Sequence, residues 1–563
     1  MGYSGKNFPG SNPTFDKDYE VYGNVPVKGI DYDNFILTSD GLSADVREQA
    51  LGQLREYEAA QKSHFLGYQA NQSGKYDGLS EYLDMHVNNI GDPFVSGNFT
   101  TNSKFAERAV LDYFASLWHA KWPCEAHFSD GEKSKDWQDS YWGYALSMGS
   151  SEGNIYGMWS ARDYLEGKKL TVDDSGTGRA PRLQSVKPRA NAANVNSYTP
   201  IAFYSQDTHY SIIKNTRILA VTNFHEEALA KKYKCPLSYP SDYPDGYSEH
   251  YIENGWPTEV PSDLDGNVYL PALEKLVDFF AKEGYPPLIV FNYGTTFKGT
   301  YDDVAKGVAA IIDILKKYGL DERTVEYEDG KTDLRNGFWI HIDSALGAAY
   351  APYLKKLDEF KDLPVFDFSI DGVHSLTMSG HKWIGAPWPC GIFLTKLKYQ
   401  LYPVDDPAYI GSPDTTFAGS RNGFSALILW DFISKNSVED LIARIEKGLT
   451  LTDYAITKLE EVQAFRAKAY GEPADGLWIE HSKYALTVRL RKANDDITFK
   501  YSLSGEELYV KDKVKPLKYS HIYLMDHVTK ELLDEFAEDL KAEDAFAPQD
   551  AVSAVVGRGR GFR

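Results

Sequence analysis

Two segments of this chain carry side chains that could do covalent chemistry together. Ser379-Gly380-His381-Lys382 follows an apolar stretch, and a lysine just past a strand can form a Schiff base with an aldehyde. Asp343 ends an earlier apolar stretch, where a carboxylate can hold a protonated heteroaromatic ring nitrogen. Ser379, His381 and neighbouring backbone N–H groups could also receive a phosphate. This combination predicts a site for a phosphorylated aromatic aldehyde.

Three further polar segments also follow predicted strands. Ser150 and Ser151 lie where a strand leads into a helix, and a helix N-terminus with hydroxyl groups suits an anion. His209 could stack its flat imidazole on a flat ring, and Thr295 could contact that ring or a substrate carboxylate. Each segment alone also fits a structural role, as a helix cap, a buried histidine or a threonine turn.

The strand that ends at Asp343 reads His341-Ile342-Asp343. Side chains alternate along a strand, so His341 and Asp343 share one face and Ile342 points to the other. A carboxylate near the end of a buried strand is costly unless it is paired, and a ring N–H or a structural ion pair would serve. Lys382 is expected to be partly buried. Desolvation together with a cationic neighbourhood would lower the pKa of its amine and favour the neutral form needed here. A surface lysine after a strand is the alternative.

The elements that position these residues alternate between strands and helices from about residue 140. The predicted strands are 144–147, 201–204, 288–291, 338–342, 375–379 and 392–395. The predicted helices between them are 152–166, one from about residue 210, and about 302–317. This alternation predicts a mainly parallel sheet covered on both faces, with ligands at the carboxyl ends of its strands. The candidate site residues all lie at such ends.

The flanking regions show other patterns. Residues 42–61, with Ser43 as a cap, and 104–120 have the apolar spacing of amphipathic helices. Residues 171–200 and 232–270 are polar and rich in turn-forming residues, so we interpret them as loop insertions that are structural or shape a substrate entrance.

The last third of the chain predicts a smaller α+β unit. It contains predicted helices over 426–434, 438–459 and about 527–540, and predicted strands over 484–490 and 498–503. We therefore expect four units: an N-terminal arm and helical segment over 1–90, a large ligand-binding domain over 91–420, a small α+β domain over 421–541 and a flexible tail over 542–563.

Composition argues against several functional classes. Of the 563 residues, 42% are hydrophobic and 14% aromatic, which is enough for a large core and argues against global disorder. The net charge of -21 argues against a nucleic-acid partner. The three cysteines are far apart and show no metal-ligand spacing, so we expect neither a disulfide framework nor a metal site. With no signal-peptide pattern and no 18-residue apolar run, we expect a soluble, cytoplasmic protein without a membrane partner.

The joint occurrence of these elements is more specific than any one of them. Their order and content resemble the group II pyridoxal phosphate-dependent decarboxylases of amino acids, closest to the histidine/serine decarboxylase branch. The resemblance covers roughly residues 92–431. The motifs that carry it are Gly91-Asp-Pro-Phe, Ser151-Glu-Gly-Asn, Thr208-His-Tyr-Ser, Gly294-Thr-Thr, Ser379-Gly-His-Lys and Gly419-Ser-Arg-Asn-Gly.

This resemblance implies pyridoxal phosphate as the cofactor and the fold type I architecture of the aspartate aminotransferase-like enzymes. It also implies a homodimer with shared active sites and an amino acid as substrate. By this resemblance, Lys382 forms the covalent link to the cofactor and Asp343 pairs with its ring nitrogen. Ala345 and His209 pack against the ring, and Thr295 contacts the ring or the substrate. The phosphate is bound by Ser150, Ser151, Ser379 and His381. Tyr409, on a loop over 401–417, is the candidate that protonates the reacting carbon in the partner's site.

The resemblance leaves the reaction and its substrate partly open. Histidine is the first expected substrate, with serine and the aromatic amino acids tyrosine and tryptophan as alternatives. Aldehyde formation and aminotransfer are alternative reactions with the same cofactor. A degenerate relative that acts as a non-catalytic scaffold is the non-enzymatic alternative, and the complete set of site residues argues against it.

Overall fold

The structure is a computed structural model that describes residues 30–122, 137–173, 182–400 and 407–546, except residues 38, 512 and 514. The strands, in chain order, are β1 (Tyr141–Leu146), β2 (Lys169–Asp173), β3 (Arg182–Val186), β4 (Ile201–Tyr204), β5 (Ile252–Glu253), β6 (Trp256–Pro257), β7 (Pro287–Asn292), β8 (Arg323–Glu326), β9 (Thr332–Arg335), β10 (Trp339–Asp343), β11 (Ser375–Ser379), β12 (Gly391–Lys396), β13 (Glu480–His481), β14 (Thr487–Arg491), β15 (Ser504–Leu508) and β16 (Leu517–Tyr523).

The α-helices flank these strands. They are α1 (Ala44–Ser63), α2 (Lys104–Leu117), α3 (Ser150–Leu165), α4 (Tyr210–Leu219), α5 (Phe224–Lys231), α6 (Leu270–Lys282), α7 (Val304–Lys317), α8 (Ala351–Leu354), α9 (Gly423–Lys435), α10 (Val438–Tyr470), α11 (Asp495–Lys500) and α12 (Lys530–Asp539). Within the described ranges, none of these helices combines the length and the apolar character needed to cross a membrane.

The main sheet has the strand order β1-β12-β11-β10-β7-β4. The β11–β10, β10–β7 and β7–β4 pairs are parallel, whereas β12 runs antiparallel to both of its neighbours. All residues of β1, β4, β7, β10 and β11 are buried, as expected for a sheet covered on both faces. The predicted mainly parallel sheet is confirmed.

Most predicted elements of this domain lie where the sequence predicts them. The strands 201–204 and 375–379 have the predicted bounds, and the helix predicted from about residue 210 begins at Tyr210. The helix predicted over 42–61 is α1, and the side chain of Ser43 caps it by accepting the N–H of Val46 at 3.3 Å. In α2, Val110, Leu111 and Phe114 are buried as predicted, but Phe105 is 94% exposed and lies off the packed face.

Three assignments were wrong. Residues 498–503, predicted as a strand, contain the end of α11, because Asn494 caps that helix by accepting the N–H of Ile497 at 2.8 Å. The region 171–200, predicted as a loop, contains part of the antiparallel pair β2–β3. The helix predicted to end at residue 459 continues to Tyr470, where Gly471 adopts a φ of 69°.

A second sheet, in the order β13-β14-β16-β15, belongs to the C-terminal region. Its core combines residues of β14, β16, α10 and α12, including Val488, Ile522 and Phe536. Ala545 and Phe546 are buried in this same core, which corrects the predicted start of a flexible tail at residue 542. Residues 547–563, and residues 1–29 of the predicted arm, lie outside the described part of the chain.

Candidate active site

The site residues meet because the parallel strands all end at one edge of the main sheet. Asp343, the last residue of β10, lies opposite Asn292 of β7 and Thr377 of β11. The backbone N–H of Ser379 donates to the carbonyl of Ala345 at 3.0 Å, so the chain that leaves β11 is tied to the chain that leaves β10. This bond brings the segment of Lys382 to the end of the strand that carries Asp343.

The predicted phosphate end forms where β1 leads into α3. Gly149 has a φ of 70°, and a Cβ atom there would lie 2.5 Å from Cε1 of His381, so only glycine fits this turn. The hydroxyl of Ser379 accepts the N–H of Ser150 at 3.0 Å and donates to the hydroxyl of Ser150 at 2.9 Å. Ser151 follows in the first turn of α3, at the positive end of the helix dipole. The hydroxyls and the helix dipole together suit a phosphate.

Glu152 holds this turn in shape. Its Oε2 atom accepts the N–H groups of Ser147 and Met148 at 2.8 and 2.9 Å. Burial raises the pKa of Glu152, and the same two hydrogen bonds oppose that shift. Glu152 belongs to the Ser151-Glu-Gly-Asn motif, but its carboxylate was not predicted to bind the backbone of the preceding turn.

Asp343 is buried, with 6% of its surface exposed, and both of its carboxylate oxygens accept hydrogen bonds. Oδ2 accepts from Nδ2 of Asn154 at 2.9 Å, and Oδ1 accepts from the N–H of Ala345 at 3.3 Å. Both donors are neutral, so the carboxylate is oriented without being neutralised. A buried carboxylate of this kind suits a cationic ring N–H.

Lys382 lies in a turn that the N-terminal region holds in place. The N–H of Asn71 donates to the carbonyl of Lys382 at 3.0 Å, and the side-chain amide of Asn71 donates to the carbonyl of Trp383 at 3.1 Å. Burial lowers the pKa of Lys382 to about 8, against the opposing attraction of Asp343. The neutral fraction of this amine near physiological pH is therefore still a minority, but it is far larger than for an ordinary lysine, and a nucleophilic lysine reacts through that neutral form.

His209 precedes α4, and its ring caps that helix. Nδ1 of His209 lies 2.8 Å from Oγ of Ser211 and accepts the N–H of Ser211 at 3.3 Å. Burial, followed by the positive charge of Lys382, lowers the pKa of His209 to about 4. Burial likewise lowers the pKa of His381 to about 4. Both imidazoles are therefore neutral, and the ring of His209 can stack on a flat ligand without adding charge.

Two predicted residues are less clearly part of this group. The hydroxyl of Thr295 is buried and bonds within its own turn, to the N–H of Thr300 at 3.0 Å and to the hydroxyl of Thr300 at 2.8 Å. Tyr409 is 78% exposed, in a loop that Asn98 holds through the carbonyl of Ile410 at 2.7 Å. Among the described residues, Tyr409 forms no hydrogen bond or ring contact with Lys382, Asp343 or His209. Residues 401–406 of the predicted loop lie outside the described part of the chain.

Asn154 is the main site residue to which the sequence interpretation assigned no role. It stands four residues after Ser150, one helical turn along α3 and on the same face. Its amide contacts Asp343, Ser211 and His341. The signal was present, since Asn154 ends the Ser151-Glu-Gly-Asn motif, but nothing in the sequence said which side chains it would meet.

The sheet edge therefore combines a hydroxyl-rich anion end, a buried carboxylate, a flat neutral imidazole and an amine with a lowered pKa. Such a set defines an α/β enzyme that uses pyridoxal phosphate, because that cofactor has a phosphate, a ring nitrogen, a flat ring and an aldehyde to be held. The residues present fit each of these groups.

Comparison with known proteins gives the family. Residues 257–474 match the sequence model of the pyridoxal-dependent decarboxylase conserved domain. The crystal structure of L-methionine decarboxylase from Streptomyces sp. 590 superposes with a TM-score of 0.77 and 39% identity, covering 91% of this chain and 97% of that one. The chain belongs to the pyridoxal-dependent decarboxylase family.

Curated relatives agree with this assignment. Histidine decarboxylase of Mesorhizobium japonicum is 28% identical over 476 residues, which is 84% of this chain and 92% of that protein. Serine decarboxylase 2 of Oryza sativa is 26% identical over 85% of this chain and 74% of that protein. The predicted resemblance to group II decarboxylases near the histidine/serine branch is confirmed, as are fold type I and the pyridoxal phosphate cofactor. The protein is a pyridoxal phosphate-dependent amino acid decarboxylase.

Proposed function

We propose that this enzyme decarboxylates L-methionine, with Lys382, Asp343 and His209 at the reacting end of its site. The residue assignment rests on one observation, which is that these residues lie at the same edge of the sheet. There, the backbone hydrogen bond from Ser379 to Ala345 ties the segment of Lys382 to the end of β10. The extent of identity with an L-methionine decarboxylase, 39% over 91% of the chain, supports the substrate.

The cofactor supplies one part of the chemistry. When bound, pyridoxal phosphate provides an electron-withdrawing ring that accepts the electron pair left when carbon dioxide departs. Ser150, Ser151, Ser379 and His381 would hold its phosphate, and Ala345, at the end of β10, would pack against its ring. Thr295 would serve mainly to shape the turn next to the ring, because its hydroxyl bonds to Thr300.

The amine of Lys382 and the carboxylate of Asp343 have distinct tasks. Lys382 would link the cofactor covalently, and its lowered pKa keeps a neutral amine available for that link and for release of the product. Asp343 would face the ring nitrogen with a carboxylate that two neutral donors orient. The electron-withdrawing power of the ring depends on the charge of that carboxylate.

His209 and Tyr409 would act on the substrate side. The neutral ring of His209 would cover one face of the cofactor and exclude water from it. Tyr409 would deliver the proton that replaces the lost carboxylate, in the site of a partner subunit. Its 78% exposure supports that arrangement, as does the lack of a hydrogen bond or ring contact between Tyr409 and the site of its own chain among the described residues. We therefore propose a homodimer in which each site uses residues of both subunits.

Histidine, the first substrate expected from the sequence, is the second candidate. The observation that favours it is the 28% identity with a histidine decarboxylase that this chain covers to 92%. Methionine ranks first because this chain is 39% identical to the methionine enzyme over 91% of its length, against 28% over 84% for the histidine enzyme. The two substrates differ in chemistry, since a thioether needs an apolar pocket and an imidazole needs hydrogen-bond partners.

A substrate screen tests both proposals. Purified holoenzyme is incubated with each standard amino acid, and carbon dioxide release and product identity are measured together. We expect the highest kcat/KM for L-methionine, with 3-methylthiopropylamine as product. A higher kcat/KM for L-histidine would overturn the methionine assignment. An aldehyde with ammonia in place of an amine would show that the enzyme is an aldehyde synthase.

Borohydride trapping tests the residue assignment independently of the substrate. Reduction of the holoenzyme followed by peptide mass mapping should place the cofactor on the peptide that contains Lys382. Lys298, a buried lysine ion-paired with Asp207 at 3.2 Å, is the internal control and should remain unmodified. An adduct at a residue other than Lys382 would refute the assignment.

A further inference from the structure

The described side chains behind Asp343 form a continuous hydrogen-bond chain. Nε1 of Trp339 lies 3.1 Å from Oγ of Ser375, which lies 2.8 Å from Nδ1 of His341. Nε2 of His341 lies 2.9 Å from Oδ1 of Asn154, whose Nδ2 lies 2.9 Å from Oδ2 of Asp343. An indole N–H can only donate and an ionised carboxylate can only accept, so both ends of this chain have a fixed direction.

The fixed ends determine where each proton lies. Asn154 must turn Nδ2 toward Asp343, so its Oδ1 accepts from His341. Burial lowers the pKa of His341 to about 4, so its ring is neutral, donates through Nε2–H and accepts at Nδ1 from the hydroxyl of Ser375. Trp339 donates to the oxygen of that hydroxyl. Trp339, Ser375 and His341 are fully buried and Asn154 is 1% exposed, so water does not compete for these bonds.

A second arm leaves Asn154 toward His209. The amide Nδ2 has two protons, and it also lies 3.1 Å from Oγ of Ser211. Because Ser211 accepts that bond, its hydroxyl proton is available for Nδ1 of His209 at 2.8 Å, where the N–H of Ser211 also points. A neutral His209 with an accepting Nδ1 carries its proton on Nε2.

The two arms meet at one amide group. An amide turned the other way would set its carbonyl oxygen against the carboxylate of Asp343 and its NH₂ group against the N–H of His341, so this orientation is the stable one. The amide is neutral, and Asp343 forms no ion pair with another described residue. Asn154 can therefore orient the carboxylate without weakening its charge.

We propose that Asn154 is a positioning residue that sets two cofactor-facing groups at once: the orientation of the Asp343 carboxylate and the tautomer of His209. This inference rests on the role proposed above for Asp343, but its His209 arm concerns the protein without cofactor. Asn154 touches neither substrate nor cofactor in this proposal. It acts through Asp343 and Ser211.

The test compares three variants at neutral pH. Asn154→Ala removes both arms, Ser211→Ala removes only the hydroxyl of the arm to His209, and Asn215→Ala is the matched control. Asn215 is a buried amide on α4 whose Nδ2 has no hydrogen-bond partner among the described residues. The first readout is the dissociation constant of pyridoxal phosphate, from titration of the apoenzyme. The second is the ¹⁵N tautomer signature of His209 in apoenzyme labelled at histidine, with the signal assigned by its loss in His209→Asn.

Asn154→Ala should weaken cofactor binding about ten- to a hundredfold, the usual cost of removing a group that orients a ligand-binding side chain. It should also convert His209 from the Nε2–H form to a mixture of tautomers. Ser211→Ala should leave cofactor binding unchanged and shift the tautomer of His209 in part, because the backbone N–H of residue 211 still points at Nδ1. Asn215→Ala should change neither readout. Wild-type cofactor affinity in folded Asn154→Ala would overturn the Asp343 arm. An unchanged tautomer in Ser211→Ala would overturn the His209 arm, and that result stands even if Asn154→Ala does not fold.

These outcomes are distinguishable from failure of the proposed function. If Lys382 were not the attachment site, borohydride trapping would place the cofactor on another peptide. The tautomer of His209 in the apoenzyme does not depend on where the cofactor attaches, so that readout would be unaffected. If Asn154 only filled space, Asn154→Ala and Asn215→Ala would lower the melting temperature alike and leave both readouts unchanged.

Discussion

Asp343 and Tyr409 belong to two regions of this enzyme that are built in opposite ways. Asp343 is 6% exposed, and the polar side chains behind it lead back through Asn154 to buried residues of the sheet. Tyr409 is 78% exposed, and the backbone N–H and side-chain amide of Asn98 hold its loop by donating to the carbonyls of Ile410 and Ala408. In the site that we propose, one chain supplies the whole cofactor end, whereas the proposed proton donor is presented outward, as the proposed homodimer requires.

This difference has a physical basis. A buried carboxylate must have all its hydrogen bonds supplied from within the fold, so its surroundings are fixed when the chain folds. An exposed tyrosine on a loop has no such requirement, and its position can be set when a partner docks. Substitutions in the two regions should therefore differ in the size and the kind of their effects.

The largest effect is expected at Lys382. Lys382→Ala should lower turnover by ~10⁴-fold or more, as is usual when a covalent catalytic group is removed. The visible absorbance of the lysine-bound cofactor should disappear with it. Steady-state kinetics and absorption spectra measure both, and a variant that kept normal turnover would contradict the assignment.

Asp343→Ala should come next. Loss of the carboxylate should lower kcat by about 10²–10³-fold, because a preorganised charge that stabilises the reacting state contributes an effect of that size. Asp367→Asn is the matched control, since Asp367 is also buried but pairs with His119 at 2.8 Å, away from the sheet edge. Equal losses in the two variants would mean that the effect comes from folding and not from the site.

Tyr409→Phe should lower formation of the amine by about 10²-fold, since general acid catalysis typically contributes that much or more. Cofactor affinity should be unchanged, because Tyr409 forms no hydrogen bond or ring contact with the proposed cofactor-binding residues among the described part of the chain. Tyr470→Phe, at an exposed tyrosine whose hydroxyl donates to the carbonyl of Lys541, is the control and should keep full activity.

A mixing experiment decides in which subunit Tyr409 acts. Dimers of only Lys382→Ala or only Tyr409→Phe subunits should have little activity, but their hybrid has one site with Lys382 and the partner's Tyr409. Random reassociation should restore about a quarter of wild-type activity in a two-fold symmetric dimer. Activity that stays absent after verified subunit exchange would place Tyr409 in its own chain's site or outside the reaction.

The smallest effect concerns the titration of Lys382 in the apoenzyme. Its pKa of about 8 means that reaction with an amine-directed reagent should rise with pH around 8, well below the ~10.4 of an ordinary lysine. The negative charge of Asp343 raises this pKa, so Asp343→Asn should shift the midpoint to lower pH. Labelling of the Lys382 peptide, followed by mass spectrometry across pH, measures the shift, and a midpoint near 10 would contradict the burial argument.

The order of the site elements was predictable from local sequence patterns. Apolar runs such as Ile201–Tyr204 are bounded by turn residues, and parallel strands place the segments after their carboxyl ends at one edge of the sheet. Local capping also decided the error over residues 498–503, because Asn494 begins a helix where the apolar pattern alone favours a strand. The role of Asn154 was not predictable, because its three side-chain partners lie 57 to 189 residues away in the chain.

By itself, the sequence determined the class of this protein: the lysine, the aspartate, the hydroxyl-rich turn and the alternating elements specify a pyridoxal phosphate enzyme with a mainly parallel sheet. Spacing along a chain encodes such features because strand and helix periods are local. Only the tertiary structure decided which neutral groups orient Asp343, how far burial lowers the pKa of Lys382, and that Tyr409 faces outward. These properties depend on distance and solvent exclusion between segments that the sequence keeps far apart, and they arise only when the sheet brings those segments together.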